Sequence, residues 1–327
     1  MKSTVYACYA NNDEIRMQSS SGGVYPLAAR MIMGQGGAVY AACYDDDLNV
    51  VHERITDEEG LKRSLGSKYV CSALNYTFRE VREDLKNRLP VLFVGTPCQC
   101  EGLLSYLKAA GCDRSSLTVM DFVCHGIPGR VPWREYRKSL LKEGFDLREV
   151  NMRDKKTGWT RAEYSWKLSD RQGNSRFIGQ KQVPYMRGMV KNLYCRPACY
   201  ECPFKGVERN TDLTVGDYWG VWRLQPEMDD NKGTSLLMIH TEKGREIWEG
   251  IKRDISYKEA DLEGAVEANV CIVRSCSKNP DREVFFKKIR AGEDFSDVVK
   301  ELTKESAWDK FREKAKRKVR SVIGGRR

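Results

Sequence analysis

The segment CRPACYECPFK, Cys195–Lys205, gathers three of the chain's twelve cysteines into eight residues. A CxxC pair, here Cys199 and Cys202, sets two thiolates on one small turn, where both reach one metal or adjacent irons of a cluster. Arg196, Lys205 and Arg209 lie close by in sequence and offset thiolate charge. Zinc sites usually pair two such short knuckles. Cys98 and Cys100, one residue apart, do not supply the second one, so the spacing favours iron–sulfur over zinc. The remaining ligands must then come from elsewhere in the chain.

GTPCQC places Cys98 on a turn between a buried strand and a helix, where a thiol has a lowered pKa and good exposure. Cys98 is therefore a candidate ligand or nucleophile, whereas Cys100 and Cys112 read as packing residues. A nucleophile needs a base, and of His52, His125 and His240 only His125 stands at a comparable strand end, beside Cys124 in VCHG. SSSGG, Ser19–Gly23, offers hydroxyls and free N–H groups ahead of a helix, which suits a phosphate, although Ser and Gly are also ordinary caps. GDYWG supplies the Asp217 carboxylate, with Tyr218 and Trp219 either facing a planar ring or packing in a core. CxxxCxxC is also the radical S-adenosylmethionine spelling. Glu201, however, stands where that motif carries an aromatic, and the segment comes after an antiparallel region.

These residues need elements to hold them. VYPLAARMIMG reads as a helix, and AVYAACY with LNVVHERI reads as a hairpin. PVLFVGTPCQCEGLLSYLKAAG is a strand, a turn and a helix, and LTVMDFVCHG repeats the strand with Cys124 and His125 at its end. Strands alternating with helices predict a largely parallel α/β sheet in residues 1–147, with its sites at strand carboxyl ends, where Cys98 and Cys124 both fall. Residues 148–301 read as an α+β domain: short antiparallel strands, the cysteine segment, and a buried strand in GTSLLMIHT.

The chain is 327 residues with a net charge of +10. Residues 303–327 hold ten Lys/Arg against three Asp/Glu, which accounts for +7 of that charge. The basicity thus belongs to a tail, 302–327, and no nucleic-acid face is expected. Trp308, Phe311, Ala315, Val319 and Val322 give that tail one apolar helical face, suited to peripheral membrane or protein docking. The chain lacks a ~20-residue apolar span and a signal core, so it reads as cytoplasmic, with thiols available for metal.

Taken in order, SSSGG, GSKYV, GTPCQ, VCHG, RDKKTGW, RPACYECPFK, LTVGDYWG and KGTSLLMIHT resemble the coenzyme F420 hydrogenase/dehydrogenase beta-subunit family, from about Val5 to Phe286. The resemblance implies an oxidoreductase holding FAD and one 4Fe-4S cluster, with the deazaflavin coenzyme F420 or another organic molecule as substrate. It implies cluster thiolates at Cys98, Cys124, Cys199 and Cys202, with Cys195 a spare or substitute ligand. It puts Ser21, Gly22 and Gly23 at the flavin, then Lys68 and Thr96, and leaves His125 and Asp217 as catalytic candidates. Many relatives begin with a ferredoxin-like stretch. Only Cys8 stands in the corresponding part of this chain, so electrons are expected from a ferredoxin or another redox partner. The competing expectation is a non-catalytic, metal-stabilised scaffold, an accessory in polysaccharide synthesis that docks through its tail.

Overall fold

The computed structural model describes residues 3–160 and 163–304. The basic stretch from residue 305 onward, on which the docking expectation mostly falls, lies outside the described residues. Eleven strands are described: β1 Thr4–Ala10, β2 Ala38–Tyr44, β3 Val50–Ile55, β4 Val91–Gly95, β5 Leu117–Phe122, β6 Leu147–Asp154, β7 Ser165–Asp170, β8 Ser175–Gly179, β9 Leu213–Asp217, β10 Ser235–Ile239 and β11 Ile255–Glu259.

Eight of them form one sheet in the order β11-β1-β10-β9-β5-β4-β2-β3, and β6-β7-β8 form a separate antiparallel meander. The centre of the large sheet is parallel, with registers Ala38↔Val91, Val91↔Leu117 and Met120↔Leu213. Both flanks are antiparallel: β3 on β2 at one side, and β10, β1 and β11 beyond β9 at the other. The α/β class rests on the central run. Its strands carry apolar residues on consecutive positions, as AVYA in β2 and VLF in β4 do, because layers cover both faces.

Strands from both sides of residue 148 share this sheet, since β9, β10 and β11 complete what β2, β4 and β5 begin. The cores cross the same point. Val50 and Val70 pack in one cluster with Trp133, Trp166, Tyr185 and Phe295 around the meander. Cys8, Leu92, Leu213 and Trp248 share another on the large sheet.

Candidate functional site

The parallel strands stop at the same edge, and the segments leaving them build the site. After β4, Gly95 leads into Thr96, which caps the helix Pro97–Ala109. The Thr96 N–H donates to Gln99 Oε1 at 3.1 Å, and Pro97 occupies the first turn, where its missing N–H costs nothing. Cys98 sits in that first turn, exposed, with its Sγ 3.2 Å from Thr96 Oγ1. After β5 come Cys124, His125 and Gly126. β9 ends on Asp217, and the aromatic pair Tyr218 and Trp219 follows it. A cavity of about 550 Å³ opens at this edge, lined by Ser19–Ser21, Lys68, Thr96, Cys124–Ile127 and Asp217 among others. Crevices at the carboxyl ends of parallel strands are where open α/β sheets bind ligands, and this volume is within the usual range for small-molecule pockets.

The cysteine segment docks on the loop after β5. Cys195 bridges Pro128, and the Arg196 N–H donates to Ile127 O at 3.1 Å. On its other side the Cys202 N–H donates to Ser275 Oγ at 3.0 Å, which ties in a loop carrying Cys276. Thiols from distant segments thereby face one another. Burial, above all, pushes the Cys124 thiol up to about 12; the neighbouring Cys199 and Cys98 add to this, and Lys205 opposes it. Cys199 is likewise raised by burial, while the Ile127 N–H and the Arg196 charge favour its thiolate. Cys195 is buried and in hydrogen-bond contact with Cys276; that contact raises Cys195 and lowers Cys276, as expected when the first donates to the sulfur of the second.

Gly126 stands amid this group at φ +145, and a Cβ there would lie 2.8 Å from Cys276 Sγ and 3.4 Å from Cys199 Cβ. Only glycine leaves that space open. Among the described residues, no group of three or more His, Cys, Asp or Glu is gathered to hold a single metal ion. Cys202 is tied to the group through its backbone, by the bond to Ser275. Cys100 is packed at 0 % exposure inside the core around the helix Pro97–Ala109, as a packing residue should be.

The SSSGG glycines are required for close packing. A Cβ on Gly22 would sit 2.3 Å from Cys8 O, and Gly23 is left-handed at φ +94. The Gly22 N–H is spent on Ser235 Oγ at 2.9 Å and the Ser21 hydroxyl on Thr234 O at 2.9 Å, so neither group is free for a phosphate. Gly22 is absent from the cavity wall, whereas Ser19, Ser20, Ser21 and Gly23 line it. The wall they form opens the 11-residue helix Val24–Gly34, whose first N–H groups have no partners within the helix. Buried Lys155 braces this loop by donating to Arg16 O and Ser21 O at 2.6 Å and to Lys232 O at 2.8 Å. Lys68, pushed down to about 8 by burial, donates to Ser64 O and Leu65 O in the neighbouring segment of the wall, where Ser67 Oγ lies 2.8 Å from Ser20 Oγ.

Asp217 faces the cavity as one half of an ion pair, with Arg153 Nη1 2.8 Å from its Oδ2. Arg153 is buried, with its guanidinium carbon 4.8 Å from the Tyr164 ring centroid and 5.1 Å from that of Trp219. Trp219 stacks on Trp159 at 5.0 Å, so these aromatics are largely core. His125 is raised by its contact with Cys271, its Nδ1 lying 3.4 Å from that sulfur, and its Nε2 lies 2.6 Å from Asn192 Oδ1. Cys276, Cys271 and Asn192 escaped the sequence reading. The pair of cysteines in NVCIVRSCSKNP was the signal available for the first two.

Comparison with known proteins agrees with this architecture. No curated protein matches the chain. Among solved structures, a chain of the F420-reducing [NiFe] hydrogenase complex from Methanosarcina barkeri superposes with a TM-score of 0.55 at 13% identity, over 88% of this chain and 93% of that one. At that identity the likeness speaks for the fold alone. The model for the C terminus of the beta subunit of coenzyme F420 hydrogenase/dehydrogenase matches residues 90–265, a little over half of the sequence, from β4 through the cysteine segment to beyond β11. The chain therefore belongs to the coenzyme F420 hydrogenase/dehydrogenase beta-subunit family.

Proposed function

We propose that this chain is a flavin- and iron–sulfur-dependent oxidoreductase whose cavity takes FAD together with an organic substrate. One observation carries the reading: thiols from four segments, Cys98, Cys124, Cys195 with Cys199, and Cys276, lie near one another beside Gly126, and Cys124 lines the cavity of about 550 Å³. The donor set fits a 4Fe-4S cluster, which is held by four thiolates and tuned by N–H groups directed at sulfur. Cys98, Cys124, Cys199 and Cys202 are its proposed ligands. The CxxC turn gives two of them, and Cys195 and Cys276 satisfy one another behind it.

A flavin supplies hydride exchange, and a cluster supplies one-electron relay. The chain's own residues do the rest. Ser19, Ser20, Ser21 and Gly23 would border the flavin phosphates, with Lys155 keeping that loop in place. Lys68 and Thr96 line the same cavity, and Arg153 pairs with Asp217 there. Lys205 donates to the carbonyls of Cys124 and Cys271, pinning the two loops beside the thiols and adding positive charge that favours thiolate. Proton movement is assigned to His125, which stands in the cavity wall. The substrate is coenzyme F420 or another organic hydride carrier, and the electron partner is a ferredoxin or a comparable redox protein. Protein reconstituted anaerobically with FAD and iron should be reduced by at least one donor in a panel of reduced deazaflavin, nicotinamide and ferredoxin. Reduction by none of these classes, with both cofactors bound, would remove the proposed electron route.

A further inference from the structure

We propose that the surface over the thiol group docks an acidic redox protein carrying a one-electron centre of its own. This docking rests on the iron–sulfur reading above and locates its electron partner. A relay exchanges electrons with another protein only where it comes close to the surface. Cys98 is exposed and Cys199 and Cys202 are half-buried, so the thiols approach solvent on this side.

Two stretches of chain, 190–203 and 270–280, frame that opening and are tied to each other. The Cys202 N–H donates to Ser275 Oγ at 3.0 Å, and Asn279 Nδ2 donates to Lys191 O at 2.7 Å. Beside them Arg282 Nε donates to Cys195 O at 3.3 Å. The two stretches carry four exposed cations, Lys191, Arg196, Arg274 and Lys278, against one acid, Glu201. Elsewhere the surface pairs many of its cations, as in Arg30–Glu58 at 2.8 Å and Lys288–Glu293 at 3.0 Å. Among the described residues, none of these four meets a carboxylate. Arg196 Nη1 lies instead 3.2 Å from Cys71 Sγ.

Cations left unpaired on one surface are available to carboxylates on another, and they steer an acidic partner into place. Apolar residues stand among them. Pro197, Ala198 and Pro203 are exposed on the first stretch, and Val270 and Val273 are 47% and 39% exposed on the second. Apolar contact with charge around it is the anatomy of a protein interface.

The test is calorimetric titration of anaerobically purified full-length protein with an acidic plant-type 2Fe-2S ferredoxin, both oxidised, at about 20 mM and about 200 mM salt. Affinity should fall about tenfold or more at the higher salt. Lys191→Glu, Arg274→Glu and Lys278→Glu, combined, should weaken binding at low salt about tenfold or more while keeping the parent's iron content. Lys86→Glu, Lys108→Glu and Arg114→Glu, combined, should change it less than about twofold, because those exposed residues lie ahead of β4 and β5, at the opposite edge of the sheet. On the parent alone, no binding at low salt, or binding that salt leaves unmoved, overturns the proposal. Equal weakening by both triple variants overturns it as well, since net charge would then be the cause. Phosphatidylglycerol vesicles that bind the parent and not the first triple variant, with ferredoxin binding unchanged, would reassign the surface to a membrane. Binding needs no electron flow, so docking fails on this titration and the electron route fails on donor reduction, each without the other.

Discussion

Cys195 made the cysteine segment look like a triplet. It is buried against Cys276, a residue far away in sequence, and this supports the proposed ligand set of Cys98, Cys124, Cys199 and Cys202. Cys98→Ser, Cys124→Ser, Cys199→Ser and Cys202→Ser should each lower bound iron by more than half, measured on anaerobically purified protein. Cys195→Ser and Cys276→Ser should retain most of it. Full iron in Cys202→Ser together with loss in Cys276→Ser would transfer the fourth position to Cys276. A second residue-level expectation concerns His52, which burial pushes down to about 4. Its Nε2 lies 3.0 Å from Val94 O and its Nδ1 2.9 Å from Ser72 Oγ, so the neutral ring has both nitrogens satisfied. The unfolded chain takes up this proton near pH 6.5. Stability is therefore lost as pH falls from about 6.5 toward 4, with a limiting slope of about 1.4 kcal/mol per pH unit for one group. Urea unfolding at pH 7 and pH 5 should show a smaller acid loss in His52→Gln than in the parent. Half-buried His240, also pushed down to about 4, leaves part of the slope in place.

At the scale of elements, the SSSGG turn shows how far sequence reasoning reaches. A glycine pair before a helix announces an unusual backbone, and the structure supplies the cause: β1 crosses so closely that the Gly22 position has no room for a side chain. The sequence suggested a phosphate seat because it shows composition but not which N–H groups are already spent, and the Gly22 N–H is spent on Ser235. Gly22→Ala should cost about 3 kcal/mol or more in urea unfolding, since the clash is with backbone. Gly34→Ala, where a Cβ meets nothing within 4 Å, should change stability by less than about 1 kcal/mol. Equal effects of the two substitutions would mean that the β1 contact is not what fixes the loop. That Cys98 and Cys124 follow the ends of β4 and β5 was legible for a plain reason. Alternating strands and helices are local patterns, and the chemistry of parallel sheets lies where their strands end. The positions of Cys276 and Asn192 depend on long-range docking of loops, for which one sequence carries no periodic signal.

At the scale of the whole molecule, a boundary near residue 148 marks a change in local style, from alternating strands and helices to a meander. The hydrogen-bond ladder ignores it, because β9 pairs with β5 and β10 pairs with β1. Neither half contains the whole of the large sheet. Residues 1–147 expressed alone should show no cooperative thermal transition, whereas the full chain should unfold its two halves together. Independent melting of the two segments would contradict the shared sheet. Among the described residues no helix is long and apolar enough to cross a membrane. The cluster ligands would then join β4 and β5 to a loop between the meander and β9, clasping the two segments at the cavity. The most direct measurement of this account is the absorbance, iron and flavin content of the full-length protein purified without oxygen. The account requires yellow-brown protein with bound flavin and about four iron atoms per chain. Colourless protein carrying a single zinc would contradict it.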